Sequence, residues 1–259
     1  MAGTGYSIRD TVDAWLPPVP LKDRGHYRLG NYPHDRVAGQ IARKYLTRNN
    51  NLKRAWRRIC LHMPEITVPG TRYELLEFST AHGAFLELAA GLGHRAEGTD
   101  FAFPAERTGI HRQVRPGSPV FARRHDNPVA EPVEGWVYQP VIESIGATVT
   151  LFDGGVLPYP YADDSFDIVS CYQAIEAYGP PERWTEFVHD MCRIARRAVV
   201  LGFNPPGPTQ ESSGDWVNAA AGWEALRRFD RDGFRTVAFG IGGSARGLHP
   251  VFCKIARGA

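Results

Sequence analysis

From Gly70 onward the chain alternates short apolar runs with segments of helical composition, and this alternation limits the folds open to it. Tyr73 to Phe78, Arg95 to Asp100, Thr148 to Phe152, Phe166 to Cys171 and Ala198 to Phe203 read as strands. Gly83 to Ala90, Pro140 to Ile145, Arg183 to Ala195 and Trp223 to Phe229 read as helices. In the third of these, Trp184, Phe187, Val188, Met191 and Ile194 recur at helical spacing and make one apolar face. Strands separated by helices predict an α/β domain whose largely parallel sheet is covered on both faces. Phe234 to Phe239 and Val251 to Ile255, joined by a glycine-rich loop, predict an antiparallel hairpin at one edge.

The chain before Gly70 has a different texture. Residues 1–34 read as an irregular arm, followed by helices over Asp35 to Tyr45 and Asn51 to Leu61. In the second helix Leu52, Trp56, Ile59 and Cys60 form one stripe, and Lys53, Arg54, Arg57 and Arg58 face away from it. The predicted division is an arm and helical cap over 1–69 and a main domain over 70–259. Within the latter, the proline-rich 102–136 stretch is an insertion. Net charge is only +2, yet between Lys22 and Arg58 only Asp23 and Asp35 oppose a run of arginines and lysines. Such asymmetry suits an anionic partner, and equally a solvated helix face. No apolar run approaches the ~20 residues of a membrane helix. Residues 1–20 lack the apolar core of a secretory signal, so a cytoplasmic location is expected. The cysteines (Cys60, Cys171, Cys192, Cys253) and the histidines are dispersed, so neither a disulfide framework nor a metal site is expected.

Two constellations point to chemistry. Glu77-Phe78-Ser79-Thr80-Ala81-His82-Gly83 reads as a strand end, a tight turn of small residues and a helix start, with Asp100 closing the next strand. In open α/β sheets ligands bind beyond the carboxyl ends of the strands, where a small-residue turn lets backbone approach them and an acid can accept ribose hydroxyls. Many α/β proteins share this pattern. The second runs from Phe152-Asp153-Gly154-Gly155 through Leu157-Pro158-Tyr159-Pro160 and Asp164-Ser165-Phe166-Asp167 to Cys171-Tyr172-Gln173-Ala174-Ile175-Glu176. Here the chain resembles the class I S-adenosylmethionine (SAM)-dependent methyltransferases, especially the type 11 group. That group has an acid after its third strand, then Leu-Pro-Phe-Pro, Asp-x-Ser-Phe-Asp and Ala-Leu-Glu. The resemblance covers roughly residues 70–101 and 137–256.

The resemblance implies a Rossmann-like class I methyltransferase fold: a mostly parallel seven-stranded sheet, an antiparallel C-terminal hairpin and an N-terminal helical cap. It implies SAM as cofactor and methyl transfer as the activity. By carry-over, Glu77, Phe78, Ser79 and Gly83 line the methionine portion, Asp100 holds the ribose and Phe101 packs on adenine. Asp153 accepts the adenine amino group beside Gly154, and Cys171, Tyr172 and Gln173 border the sulfonium and acceptor. Taken alone, Asp153 also suits a turn-forming acid and Cys171 a core residue. Three departures stand out: Ser79 and Ala81 replace glycines, 102–136 is inserted, and Tyr178 lies near where many relatives carry histidine. No catalytic base is assigned. The acceptor reads as a small or saccharide-like molecule, with an anionic one included. An RNA acceptor at the basic helix is the alternative, and a non-catalytic scaffold is the other, because the glycine turn is altered. The cofactor reading requires the Ser79–Gly83 turn to lie near Asp100 and Asp153 with open space between them.

Overall fold

The computed structural model describes residues 14–21, 25–29, 47–101, 112–114, 136, 138–203, 215–241 and 248–254. The helix expected over 35–45, most of the 1–34 arm and most of the 102–136 insertion lie outside these residues.

The described elements alternate as the sequence demands. Helix α1 (Arg48–His62) and a 3-10 turn (Pro64–Thr67) precede β1 (Glu74–Phe78), α2 (Ala84–Gly91) and β2 (Arg95–Asp100). Then come β3 (Arg112–Val114), α3 (Gln139–Ile145), β4 (Thr148–Leu151), β5 (Phe166–Tyr172) and α4 (Ile175–Tyr178). Helix α5 (Trp184–Ile194) runs directly into β6 (Ala195–Gly202) and is followed by α6 (Asp215–Arg227). The last strands are β7 (Asp230–Arg231), β8 (Phe234–Ile241) and β9 (Leu248–Lys254). One sheet holds them in the order β3-β4-β2-β1-β5-β6-β9-β8-β7. Strands β4, β2, β1, β5 and β6 are parallel neighbours, and β9 and β8 add the antiparallel hairpin. All seven expected strands are present. The sheet is longer by two short edge pieces, β3 and β7, too brief to show any period in the sequence.

Period-two alternation sorts the strands onto two cores. Leu75, Ile168, Tyr172, Ala198 and Val200 face one side, where they meet Leu52, Trp56 and Ile59 of α1 and Phe85 and Leu88 of α2. Leu76, Phe78, Val169, Cys171, Val199 and Leu201 face the other, against Trp184, Phe187, Val188 and Met191 of α5. Each such side chain contributes roughly 1.5–3 kcal/mol on burial, which fixes the strand register. The apolar stripe of α1 is as expected, but its basic residues do not all face away. Arg57 is buried and Arg58 is half-buried, its stem lying along the helix while the guanidinium reaches the sheet end over Tyr172.

The fold also aligns strand ends. Phe78 pairs with Cys171 and Asp100 with Leu151, so β1, β2, β4 and β5 finish at one edge. Gly98 permits this packing, because a Cβ there would sit 2.7 Å from Thr80 Cγ2 and 2.9 Å from Leu86 Cδ1. Gly98→Ala is expected to destabilise the protein by about 1–3 kcal/mol through overpacking, read as a lower urea midpoint with unchanged slope.

Candidate functional site

The turn after β1 is left-handed at alternate positions: φ is 50° at Ser79, 49° at Ala81 and 68° at Gly83. For Gly83 the requirement is twofold, since a Cβ would also meet the δ carbons of Ile142 and Ile145 at 2.5 and 2.8 Å. Ser79 and Ala81 adopt the glycine-like conformation despite their side chains, at a cost of roughly 1–2 kcal/mol each. Hydrogen bonds to β2 hold the strained loop. Thr80 N donates to Thr99 O (2.8 Å) and Ala81 N to Asp100 Oδ2 (3.1 Å), while Gly83 N closes the turn onto Thr80 O (2.9 Å). His82 Nδ1 accepts from Ala84 N at the start of α2 (3.3 Å). Burial first, then Arg54 and Arg58, push this imidazole down to about 3, so it is neutral.

The three acids occupy different environments. Asp100 accepts from Ala81 N at one oxygen and from Phe101 N (2.8 Å) at the other, and each oxygen has a second lone pair. Asp153, just past β4, accepts from Gly155 N through Oδ1 (2.8 Å), while its carbonyl accepts from Val156 N (3.0 Å), the geometry of a turn-forming acid. Phe152 N donates to Asp100 O (3.0 Å), tying the β4 end to the β2 end. Glu77 is buried, and Thr80 Oγ1 donates to its Oε2 (2.5 Å). Burial pushes its carboxyl up to about 7. The Thr80 hydroxyl and Arg58 oppose that rise, and Asp100 adds to it.

At the end of β5 neighbouring residues diverge. Cys171 points into the second core, fully buried, with Tyr178 Oη 3.9 Å from its sulfur; burial raises the thiol far above neutrality. It is a core residue and does not border an open edge. Tyr172 points the opposite way, toward α1: its Oη meets His62 Nδ1 (3.1 Å), and the Arg58 guanidinium lies 4.3 Å from its ring centroid. Burial and Arg58 push His62 down to about 4. Gln173 is exposed at φ 57°, and its Oε1 accepts from Arg58 Nη2 (2.8 Å) and Arg54 Nη2 (3.3 Å).

The structure thus brings Ser79, Gly83, Asp100, Phe101 and Gln173 to one sheet edge, with Asp153 and Gly154 beyond β4. Phe78 and Cys171 belong to the second core beneath it, and Glu77 is buried under the turn. Tyr178, singled out in the sequence without a site role, has its Oη 2.6 Å from Ser79 Oγ; a Cβ on Gly154 would fall 2.7 Å from its ring. The ring packs on Phe78 and Phe187, so it fills the space between Ser79 and Gly154 from the second-core side. Sequence reasoning missed Arg54, Arg58 and His62 as site residues. Arg54 and Arg58 left one trace in the sequence, a spacing of four residues.

The strand order β4-β2-β1-β5-β6 with a terminal antiparallel hairpin is a Rossmann-like arrangement. The sequence matches no family model and no curated protein. Among solved structures, the chain is similar to a SAM-dependent methyltransferase from Aquifex aeolicus, with 12% identity, 76% of this chain and 93% of that chain covered, and a TM-score of 0.44. It is similar to magnesium protoporphyrin IX methyltransferase from Synechocystis PCC 6803 with bound SAM, with 14% identity, 97% and 99% covered, and a TM-score of 0.45. A ribosomal protein L11 methylase from Lactobacillus delbrueckii subsp. bulgaricus shares 10% identity over 80% of each chain, with a TM-score of 0.43.

Two outcomes follow from the strained turn and the buried acid. Ala81→Gly should raise stability by about 1 kcal/mol in chemical denaturation, because relief of the left-handed strain exceeds the added chain entropy. Glu77 titrates near 4.5 when unfolded and near 7 when folded, so the unfolded chain releases its proton first and stability falls as pH rises through that window. Glu77→Gln should flatten the stability profile between pH 4.5 and 7 by about 3 kcal/mol relative to wild type.

Proposed function

We propose that the chain is a SAM-dependent methyltransferase acting on a small-molecule or saccharide-like acceptor. The observation that carries this reading is the left-handed Ser79–Gly83 turn bonded through Ala81 N to Asp100 at the carboxyl edge of the sheet. Backbone held this way fixes the turn at the strand ends, where ligands of open α/β sheets bind. The carboxylate beside it accepts from Ala81 N and Phe101 N, and it stands at the strand end where a ribose on the turn would lie. The four strand ends from β4 to β5 span about 14 Å at ordinary strand spacing. Across that span Asp153, Asp100, the turn and Gln173 lie in the order that adenine, ribose and the methionine end require. The residues therefore fit the cofactor, with Tyr178 bounding the site from the second-core side.

In this reading Asp100 holds the ribose hydroxyls, Phe101 covers the adenine, and Asp153 with Gly154 faces its amino edge. Ser79 and Gly83 present backbone to the methionine portion, under which Glu77 and Phe78 lie, and Tyr172 and Gln173 border the acceptor. Residues 70–259 form the cofactor-binding unit, and residues 1–69 the arm and cap. When bound, SAM supplies a methyl group already activated on a sulfonium, so the protein's task is alignment, which can provide ~7–11 kcal/mol of the barrier. His62, neutral and hydrogen-bonded to Tyr172 Oη, fixes that ring at the acceptor side. Among the described residues no helix is long and apolar enough to cross a membrane.

Titration calorimetry with S-adenosylhomocysteine tests the proposal. Wild type should bind it, and Asp100→Ala should weaken binding by about 10-fold or more, the value of a charged hydrogen bond. No binding by wild type at millimolar ligand would overturn the proposal and leave a scaffold built on the same fold. Equal affinity in Asp100→Ala would show that this carboxylate does not hold the ribose.

A further inference from the structure

Helix α1 directs two positive charges at one neutral atom. Arg54 and Arg58, one turn apart, both donate to Gln173 Oε1. Among the described residues neither has a carboxylate within ion-pair distance. Other arginines near the sheet are neutralised: Arg48 pairs with Glu87, Arg193 with Asp190 and Asp163, and Arg196 with Asp167 and Glu74. An amide oxygen satisfies hydrogen bonds but cancels no charge, so among the described residues the pair at Gln173 is opposed only at longer range, by Glu77, whose buried carboxyl is pushed up to about 7.

The place where they meet matters. Gln173 follows the end of β5 with a left-handed backbone, and Arg58 stacks on Tyr172 beside it. Non-glycine residues held at positive φ cost energy and persist only where the surroundings impose them, most often at ligand sites. The positive field is felt by its neighbours. Burial holds both imidazoles neutral, helped by Arg54 and Arg58 at His82 and by Arg58 at His62, so neither adds charge.

We propose that Arg54 and Arg58 form a subsite for an anionic group of the acceptor, a carboxylate or a phosphate ester, set beside Gln173. The proposal rests on the methyl-transfer reading for the word acceptor. Charge balance assigns the anion to the acceptor and not to the donor. The carboxylate of SAM is offset by its own ammonium, and the sulfonium leaves the molecule with one net positive charge. Asp100 and Asp153 lie at the β2 and β4 ends, so at the β5 end that charge and the two guanidinium groups favour a further anion. Paired arginines suit such a group, since each presents a planar fork of donors to its oxygens.

The experiment titrates inorganic phosphate and, separately, S-adenosylhomocysteine and 5′-methylthioadenosine into wild type, Arg54→Gln, Arg58→Gln and Arg58→Lys. Phosphate affinity should fall about 10-fold or more in each glutamine variant and less in Arg58→Lys, which keeps the charge. Nucleoside affinity should stay within about threefold of wild type, which also reports that the variants are folded. Phosphate binding that is absent in wild type, or unchanged in Arg54→Gln and Arg58→Gln, overturns the proposal. So does loss of S-adenosylhomocysteine affinity with methylthioadenosine affinity intact, which would place the donor's own carboxylate on the arginines. If wild type binds phosphate through these arginines and binds neither nucleoside, the anion subsite stands and the methyl-donor reading falls.

Discussion

Parallel strands end where their hydrogen-bond register lets them, and what lies beyond those ends depends on how the chain turns back. In this protein the turn after β1 is fastened to β2 by Thr80 N on Thr99 O and Ala81 N on Asp100, so two neighbouring strand ends and one loop move as a unit. The loop is strained at Ser79 and Ala81, and strain of this kind survives only where surrounding contacts over-determine it. Those contacts are supplied by Gly98, which leaves room for Thr80, and by Gly83, which lets α2 start against Ile142 and Ile145. The start of α2, the orientation of Asp100 and the space above the sheet edge all follow from that fastening.

Burial then sets the charges. The edge is covered by α1 on one face, and groups under the cover lose solvation, which disfavours their charged forms. Glu77 responds by titrating near neutrality, and the two imidazoles His62 and His82 by staying neutral. Guanidinium groups do not have that escape, because they stay protonated in proteins. Arg58 therefore keeps its charge while lying over Tyr172, supported by the aromatic face, the Gln173 amide oxygen and the nearby Glu77 carboxyl. A site built this way has carboxylate character at Asp100 and cationic character at Gln173, and the polarity runs along the strand ends.

Much of this was legible in the sequence. The seven main strands and the amphipathic faces of α1 and α5 follow from apolar periodicity, and the observed ends differ from expectation by a few residues. The two edge strands, of three and two residues, and the one-turn helix α4 carry too few positions to show a period. The turn and Asp100 could be named because small residues after a strand and an acid closing the next are local signals. The inward reach of Arg54 and Arg58 could not, since the same four-residue spacing describes a solvated helix face; only the placement of α1 over the sheet end decides between them. The core position of Cys171 was legible, and its placement beside the acceptor came only from the resemblance. Cys171 shares strand parity with Val169, so it must face the second core while Tyr172 faces α1.

Two side chains stand in the left-handed turn, at Ser79 and Ala81, and the first is tied to its surroundings. A serine at position 79 puts a hydroxyl beside the second core, where an unpartnered polar group would be costly. Tyr178 supplies the partner at 2.6 Å, and its ring fits because Gly154 has no side chain to meet it. Ser79, Gly154 and Tyr178 thus form one packing unit drawn from three separate stretches of chain. The strain at Ser79 is offset in part by that hydrogen bond and by the ring's contacts with Phe78 and Phe187. A glycine at 79 would relax the backbone yet leave the Tyr178 hydroxyl without this bond, so the turn's conformation and its side chains are coupled to the surrounding packing.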